Sequence, residues 1–224
     1  MSIRPGPRAG NRPGPKPRLT REEIVEAAVE VGVDRLSVVA VAERLGVAPG
    51  TLYRYVDGLE EIAAAAVELV FARTPLPPSD RGWRAFLEDE AALAFDLLMR
   101  YSGLIRDFDA DLGTVSGRRM RQIVAVLREA GFDPGAAVRV ADAALDIVAD
   151  GTVQARFVRG PQGGPGDISE PAAAYLDSLD EPVRSEVLAI MLDPRAHVLD
   201  KVALVLDGVE HRRAGGRDGY RGIR

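Results

Sequence analysis

The sequence predicts an all-α protein made of two helical units. Three observations carry this. Every strong apolar period is helical and no segment sustains the alternation of a strand. Five prolines interleaved with glycine set the first 18 residues apart, since they suit neither a helix nor a sheet interior. Pro75, Pro77 and Pro78 then break the pattern again, at a natural boundary. The 224 residues, 46% apolar and 28% charged, suffice for two units with real cores. The expected organisation is a flexible basic arm (1–18), a helix-turn-helix unit (19–73), a proline-rich hinge (74–80), a second helical bundle (81–212) and a flexible tail (213–224).

The first unit opens at Thr20-Arg21-Glu22-Glu23, a capping box in which Thr20 and Glu23 satisfy exposed backbone donors. Ile24, Ala27, Ala28 and Val31 recur at helical spacing, and Gly32 closes the run. A second helix fits Ser37 to Leu45 with Ser37 as its N-cap. Gly46-Val47-Ala48 makes a turn, and Pro49 suits the first turn of a third helix, Pro49 to Val56. A fourth runs from about Leu59 to Ala72. Beyond the hinge, Trp83, Phe86, Leu87, Glu90, Ala91, Ala94 and Leu98 line a helix ending near Tyr101. Met120, Ile123, Val124 and Leu127 mark another, closed by Gly131. From Gly135 to Val158 a stripe of Val140, Ala141, Ala144, Val148, Gly151 and Ala155 is rich in small residues. Four glycines and two prolines make Arg159–Asp167 a loop. Helices follow at 171–179, 182–192 and Pro194–Arg212, the last repeating Val198, Val202, Val205 and Val209.

Composition excludes several functions. With no cysteine there are no disulfides, thiolate metal sites or cysteine nucleophiles. The only histidines, His197 and His211, read as surface or helix-end residues, and no serine or aspartate nucleophile has a candidate base nearby in sequence. Asp107, Asp109 and Asp111 alternate like a calcium loop, but Leu112 and Arg118 stand where glycine and glutamate belong. Gly160–Gly166 lacks the lysine and hydroxyl residue of a phosphate loop. No enzyme, metal or cofactor is expected. No apolar run approaches the roughly 18 residues of a membrane span, and the first 20 residues lack the apolar core of a secretory signal. A cytoplasmic protein with no membrane partner is expected.

The net charge of −5 hides an asymmetry. Residues 1–21 carry six basic residues and no acid, leaving 23 basic against 34 acidic residues in the rest. A basic arm on an acidic body suggests a local polyanion contact, with a solubilising tail as the alternative.

Within residues 38–56, Ala42 lets two helices approach, Gly46 turns the chain four residues later, and Leu52 anchors the next helix six beyond. Val41, Leu45 and Val47 complete a small core. This is helix-turn-helix spacing, which presents the outer face of the second helix to a DNA major groove; a plain helical hairpin is the alternative. The candidate DNA-binding residues are Pro49, Gly50, Thr51, Tyr53, Arg54 and Tyr55, with Arg44 on the preceding helix. Hydroxyls and an arginine suit phosphate and base-edge contacts.

Leu19-Thr20-Arg21-Glu22-Glu23-Ile24-Val25-Glu26-Ala27-Ala28, with Ala42-Glu43-Arg44-Leu45-Gly46-Val47-Ala48-Pro49-Gly50-Thr51-Leu52-Tyr53-Arg54-Tyr55-Val56, resembles the DNA-binding domain of the tetracycline-repressor (TetR) family. Trp83-Arg84-Ala85-Phe86-Leu87, Leu112-Gly113-Thr114, Gly131-Phe132 and Leu206-Asp207-Gly208-Val209-Glu210 more loosely resemble landmarks of its C-terminal domain. The resemblance implies a homodimer on a palindromic double-stranded operator, released by a small-molecule effector bound in a C-terminal ligand-binding and dimerisation domain. Three departures stand out. The first helix is a few residues short, an arginine common in the second helix is Val39, and the lysine usual at the start of the fourth is Leu59. A small-molecule-binding protein that has lost specific DNA binding is therefore the alternative.

The resemblance also bears on the pocket. Where tetracycline-binding relatives use a histidine, an asparagine and a glutamine, this chain has Asp111, Glu90 and Ile123, so magnesium-tetracycline is not expected to bind in the same way. Phe95, Met120, Ile123, Val124 and Leu127 are expected to line an apolar cavity, with Glu90, Asp111 and Thr114 as its polar groups. The stripes holding Val140, Ala144 and Val148 and Val198, Val202, Val205 and Val209 are expected to pair with their symmetry mates in a four-helix dimer interface.

Overall fold

A computed structural model describes residues 19–32, 35–101, 113–160, 163–164 and 166–215, with the side chains of 113–116 left aside. Among these residues there are ten helices and no strand. They are α1 (Arg21–Val31), α2 (Val38–Leu45), α3 (Pro49–Leu52), α4 (Leu59–Arg73), α5 (Trp83–Arg100), α6 (Gly113–Glu129), α7 (Pro134–Arg159), α8 (Glu170–Asp177), α9 (Glu181–Leu192) and α10 (Pro194–Ala214). None of them is long and apolar enough to cross a membrane.

The predicted starts and stops hold where local chemistry sets them. Thr20 and Glu23 form both halves of the capping box on α1, and the Ser37 hydroxyl accepts from the Ala40 amide at the head of α2. Asp133, Ser169 and Asp193 cap α7, α8 and α10 in the same way, each ahead of a proline in the first turn.

Two cores form. Ile24, Ala28, Val41, Ala42, Leu52 and Ile62 pack α1 to α4 into the first. Phe86, Leu87, Ile123, Leu127, Val148 and Val202 belong to the second, which draws on α5, α6, α7 and α10. Helix α4 takes part in both units. Ile62, Ala65 and Ala66 face the first core, while Val67 and Phe71 pack with Leu97, Leu98 and Tyr101 at the end of α5.

Ion pairs reinforce this layout. Arg21 Nε donates to Glu61 at 2.7 Å and Arg73 Nη1 to Glu26 at 2.7 Å, so α1 is tied near both ends of α4. Helix α5 is tied twice to α10. Arg84 reaches Asp207 at 2.7 Å and Glu210 at 2.6 Å, and Arg195 reaches Asp96 at 2.8 Å. Arg213 lies 3.8 Å over the Phe132 ring and donates to the Ala130 carbonyl, closing the exit of α6.

Candidate nucleic-acid interface

The turn between α2 and α3 is built by backbone hydrogen bonds. Gly46 adopts φ 67, ψ 32, the left-handed region that a Cβ disfavours. Its amide donates to Glu43 O at 3.1 Å, and the Val47 amide to Ala42 O at 3.0 Å. This paired closure of a helix end satisfies carbonyls that α2 leaves over. Pro49 then starts α3, whose Leu52 is fully buried and anchors it to the first core.

The recognition element is shorter than the sequence predicts. Helix α3 stops at Leu52, and Tyr53 to Tyr55 continue as turns. Arg54 N to Thr51 O (3.3 Å) and Tyr55 N to Leu52 O (2.8 Å) span three residues rather than four. The tightened last turn brings Val56 into the core.

Pro49, Gly50, Tyr53 and Arg54 are exposed on one surface, with Thr51 half-buried beside them. Arg54 has no ionic partner among the described residues, so its guanidinium is free for an external anion. Two expected contacts stand differently. Tyr55 packs against the first core, and Arg44 is held by Glu30 of α1 at 2.5 Å. Val39, where the resemblance would place an arginine, projects its isopropyl group into solvent.

The residues expected around a ligand are only partly brought together. Phe95, Ile123 and Leu127 are buried in the second core, and Met120 and Val124 pack at its margin. Asp111 and the side chain of Thr114 lie outside the described residues, as do Asp107 and Asp109. Glu90, expected as a polar group of that cavity, has a partner. It is buried, and Arg119, also buried, donates to both its oxygens, Nη2 to Oε2 at 2.7 Å. Arg119 Nη1 also donates to Thr74 O at 3.0 Å, the residue capping α4. Burial pushes the Glu90 carboxyl above its ordinary range, and the guanidinium opposes that rise.

The dimer expectation needs a correction. Val140, Ala144, Val148, Val198 and Val202 are buried inside a single chain, where α7 and α10 pack on each other. A Cβ on Gly151 would lie 2.1 Å from Val198 Cγ2, so the small-residue stripe exists to let α10 approach α7. The two stripes are each other's partners. Val205 and Val209 remain half-exposed, and Leu204, 70% exposed, faces outward beside them.

Sequence reasoning missed Arg119 because an arginine reads as solvent-facing. The signal was its register, four residues before Ile123 on the buried face of α6.

Comparison with known proteins completes the picture. Residues 21–66 match the model of the bacterial regulatory proteins of the tetR family. The chain is 30% identical over 213 residues to the tetracycline repressor protein class A from transposon 1721 of Escherichia coli, covering 88% of this chain and 93% of that protein. It is 35% identical over 136 residues to the transcriptional repressor DrrR1 of Streptomyces coeruleorubidus. That match takes in 56% of this chain and spans half the length of DrrR1. A possible TetR family transcriptional regulator from Streptomyces coelicolor A3(2) shares the fold at a TM-score of 0.62 with 24% identity, over 85% of this chain and 98% of that one.

Proposed function

Because this chain belongs to the TetR family of bacterial regulatory proteins, we propose that it is a ligand-responsive, DNA-binding transcriptional repressor with no catalytic role of its own. It binds a palindromic operator as a homodimer and a small molecule releases it. The observation that carries this is the α2–α3 turn, which fixes Leu52 in the core and leaves Gly50, Tyr53 and Arg54 on an open surface, with no acid among the described residues to neutralise Arg54. DrrR1 and the class A tetracycline repressor are named as repressors, which supports the same direction of control.

In this proposal Thr51 and Tyr53 contact phosphates and Arg54 reads a base edge, while the arm of residues 1–18 adds charge near the operator. Dimerisation uses the outer face of α10, around Leu204, because the inner face is occupied by α7. Helix α4 transmits the switch, since it shares one core with the DNA-binding face and another with α5. The protein works in the cytoplasm, on the nucleoid when bound to DNA.

The test is a gel-shift titration against the DNA upstream of the chain's own gene, with shuffled DNA of equal composition as reference. Preferential binding of the upstream DNA by 10³-fold or more is expected, as for specific binders at physiological salt. Equal affinity for both would favour the alternative, a ligand-binding protein without an operator, to which Val39 and Leu59 point.

A further inference from the structure

Residues 73 and 74 are neighbours in the chain, yet they are held by different units. The Arg73 side chain reaches back to Glu26 of α1, with Nη1 donating at 2.7 Å. The Thr74 carbonyl accepts from Arg119 of α6 at 3.0 Å. Thr74 itself has little freedom. Its amide and its hydroxyl both donate to Val70 O, at 3.0 and 2.8 Å. Pro75 offers no amide to continue α4 and keeps the residue before it extended, here at φ -72, ψ 116. Leu76 then packs against the second core. The Thr74 carbonyl therefore has a fixed direction, and its donor comes from outside the helix.

The donor is aimed just as closely. Arg119 Nε and Nη2 are taken by Glu90 of α5, which leaves Nη1 for Thr74. A guanidinium is a rigid planar fork, so laying two nitrogens on a carboxylate also sets the direction of the third. Pairing with Glu90 accounts for the burial of Arg119, but it does not call for a third bond to the exit of α4. A second contact between α4 and the second unit is of a different kind. Val67 and Phe71 meet Leu97, Leu98 and Tyr101 through apolar surface, which attracts without direction.

We propose that Arg119 is a positioning residue for DNA recognition, which through the Thr74 carbonyl sets the angle at which α4 and the α2–α3 face leave the second unit. This rests on the reading of the chain as an operator-binding dimer and names the contact that fixes the pose of its DNA-binding face. The path is short. Glu90 orients Arg119, Arg119 holds Thr74, and Arg73 and Arg21 tie α4 to α1. Helix α1 shares one core with α2 and α3. A dimer reads two half-sites at a set spacing, so the angle at which each face leaves its second unit decides which spacing is read.

The test uses the full chain, the fragment it protects upstream of its own gene, and the same fragment with one base pair inserted between the half-sites. Glu90→Leu/Arg119→Met removes the donor and leaves no buried charge unpaired. Arg119→Lys keeps a charge beside Glu90 but lacks the fork that reaches Thr74 as well. Wild-type protein should favour the natural spacing. Both variants should lose roughly tenfold or more of that preference, with affinity for random DNA unchanged. Hydrogen exchange on the free proteins gives a second reading. The amides of the last turn of α4, Val70 to Thr74, should exchange about tenfold or more faster in both variants, while those where α7 packs on α10 keep their wild-type rates. A folded double variant that keeps the wild-type spacing preference overturns the proposal, and Arg119→Lys decides should the double variant not fold. Exchange that quickens equally throughout the second unit also overturns it, because Arg119 then acts on stability alone. Wild-type protein that favours no fragment over shuffled DNA would sink the regulator reading and this proposal with it. Variants that discriminate spacing as well as wild type sink this proposal alone.

Discussion

The Arg119 guanidinium grips the Glu90 carboxylate from two nitrogens inside the second core, and its third nitrogen holds the Thr74 carbonyl at the end of α4. Both side chains are almost wholly removed from water. The pair therefore ties α5 and α6 together and pins the exit of α4 to them.

Removing one partner leaves an uncompensated buried charge. Arg119→Met should destabilise the fold by about 3–5 kcal/mol, whereas Glu90→Leu/Arg119→Met should lie within about 1 kcal/mol of wild type or above it. Urea unfolding monitored by far-UV circular dichroism measures both. A single variant as stable as the double would show that the pair is not sealed from water.

Leu204 and Val202 are neighbours in sequence with opposite surroundings. Leu204→Asp should give a folded monomer by light scattering, with unchanged helicity. Val202→Asp, which buries a charge against α7, should unfold the second unit. A dimer that survives Leu204→Asp would place the interface on another face.

How far the sequence carried depended on whether a feature was local. The capping box at Thr20 and Glu23, the Ser37 cap and the Gly46 turn are decided by residues within one helical turn, and all three were legible. The small-residue stripe on α7 was legible as buried, but a stripe does not say what buries it, and Val198 and Val202 of the same chain proved to be the answer. The length of α3 was misjudged because Val56 carries the apolar period past the point where the backbone tightens. The Glu90–Arg119 pair joins segments 29 residues apart in the chain, so no local pattern announces it.

Arg54 and Tyr53 should separate base reading from backbone grip. Arg54→Ala is expected to relax discrimination at one base pair per half-site by roughly 1–3 kcal/mol. Tyr53→Phe, which loses a phosphate contact, should weaken specific and random DNA alike. Fluorescence anisotropy on both DNAs reads this, and equal losses for both variants would reverse the assignment.

Acid should loosen the first unit through Glu61. Its carboxylate accepts from the Asp57 amide at 2.7 Å and from Arg21, and these bonds hold it below the ordinary carboxylate range. A lowered folded value means the unfolded chain binds the proton first. The contribution is therefore complete above about pH 4.5 and is lost as pH falls through the lowered value. Glu61→Gln should flatten that part of the stability profile, measured by urea midpoints between pH 6 and 3. An unaltered slope would mean that Glu61 gains nothing from these partners in the fold.

The central claim is that two copies of the α2–α3 face address successive major grooves of one duplex. Hydroxyl-radical footprinting on the DNA upstream of the chain's own gene tests it most directly. The account predicts a palindrome protected in two blocks whose centres lie about one helical turn, roughly 34–36 Å, or a multiple of it apart, lost in Leu204→Asp. Protection without symmetry, or protection that the monomeric variant keeps in full, would contradict it.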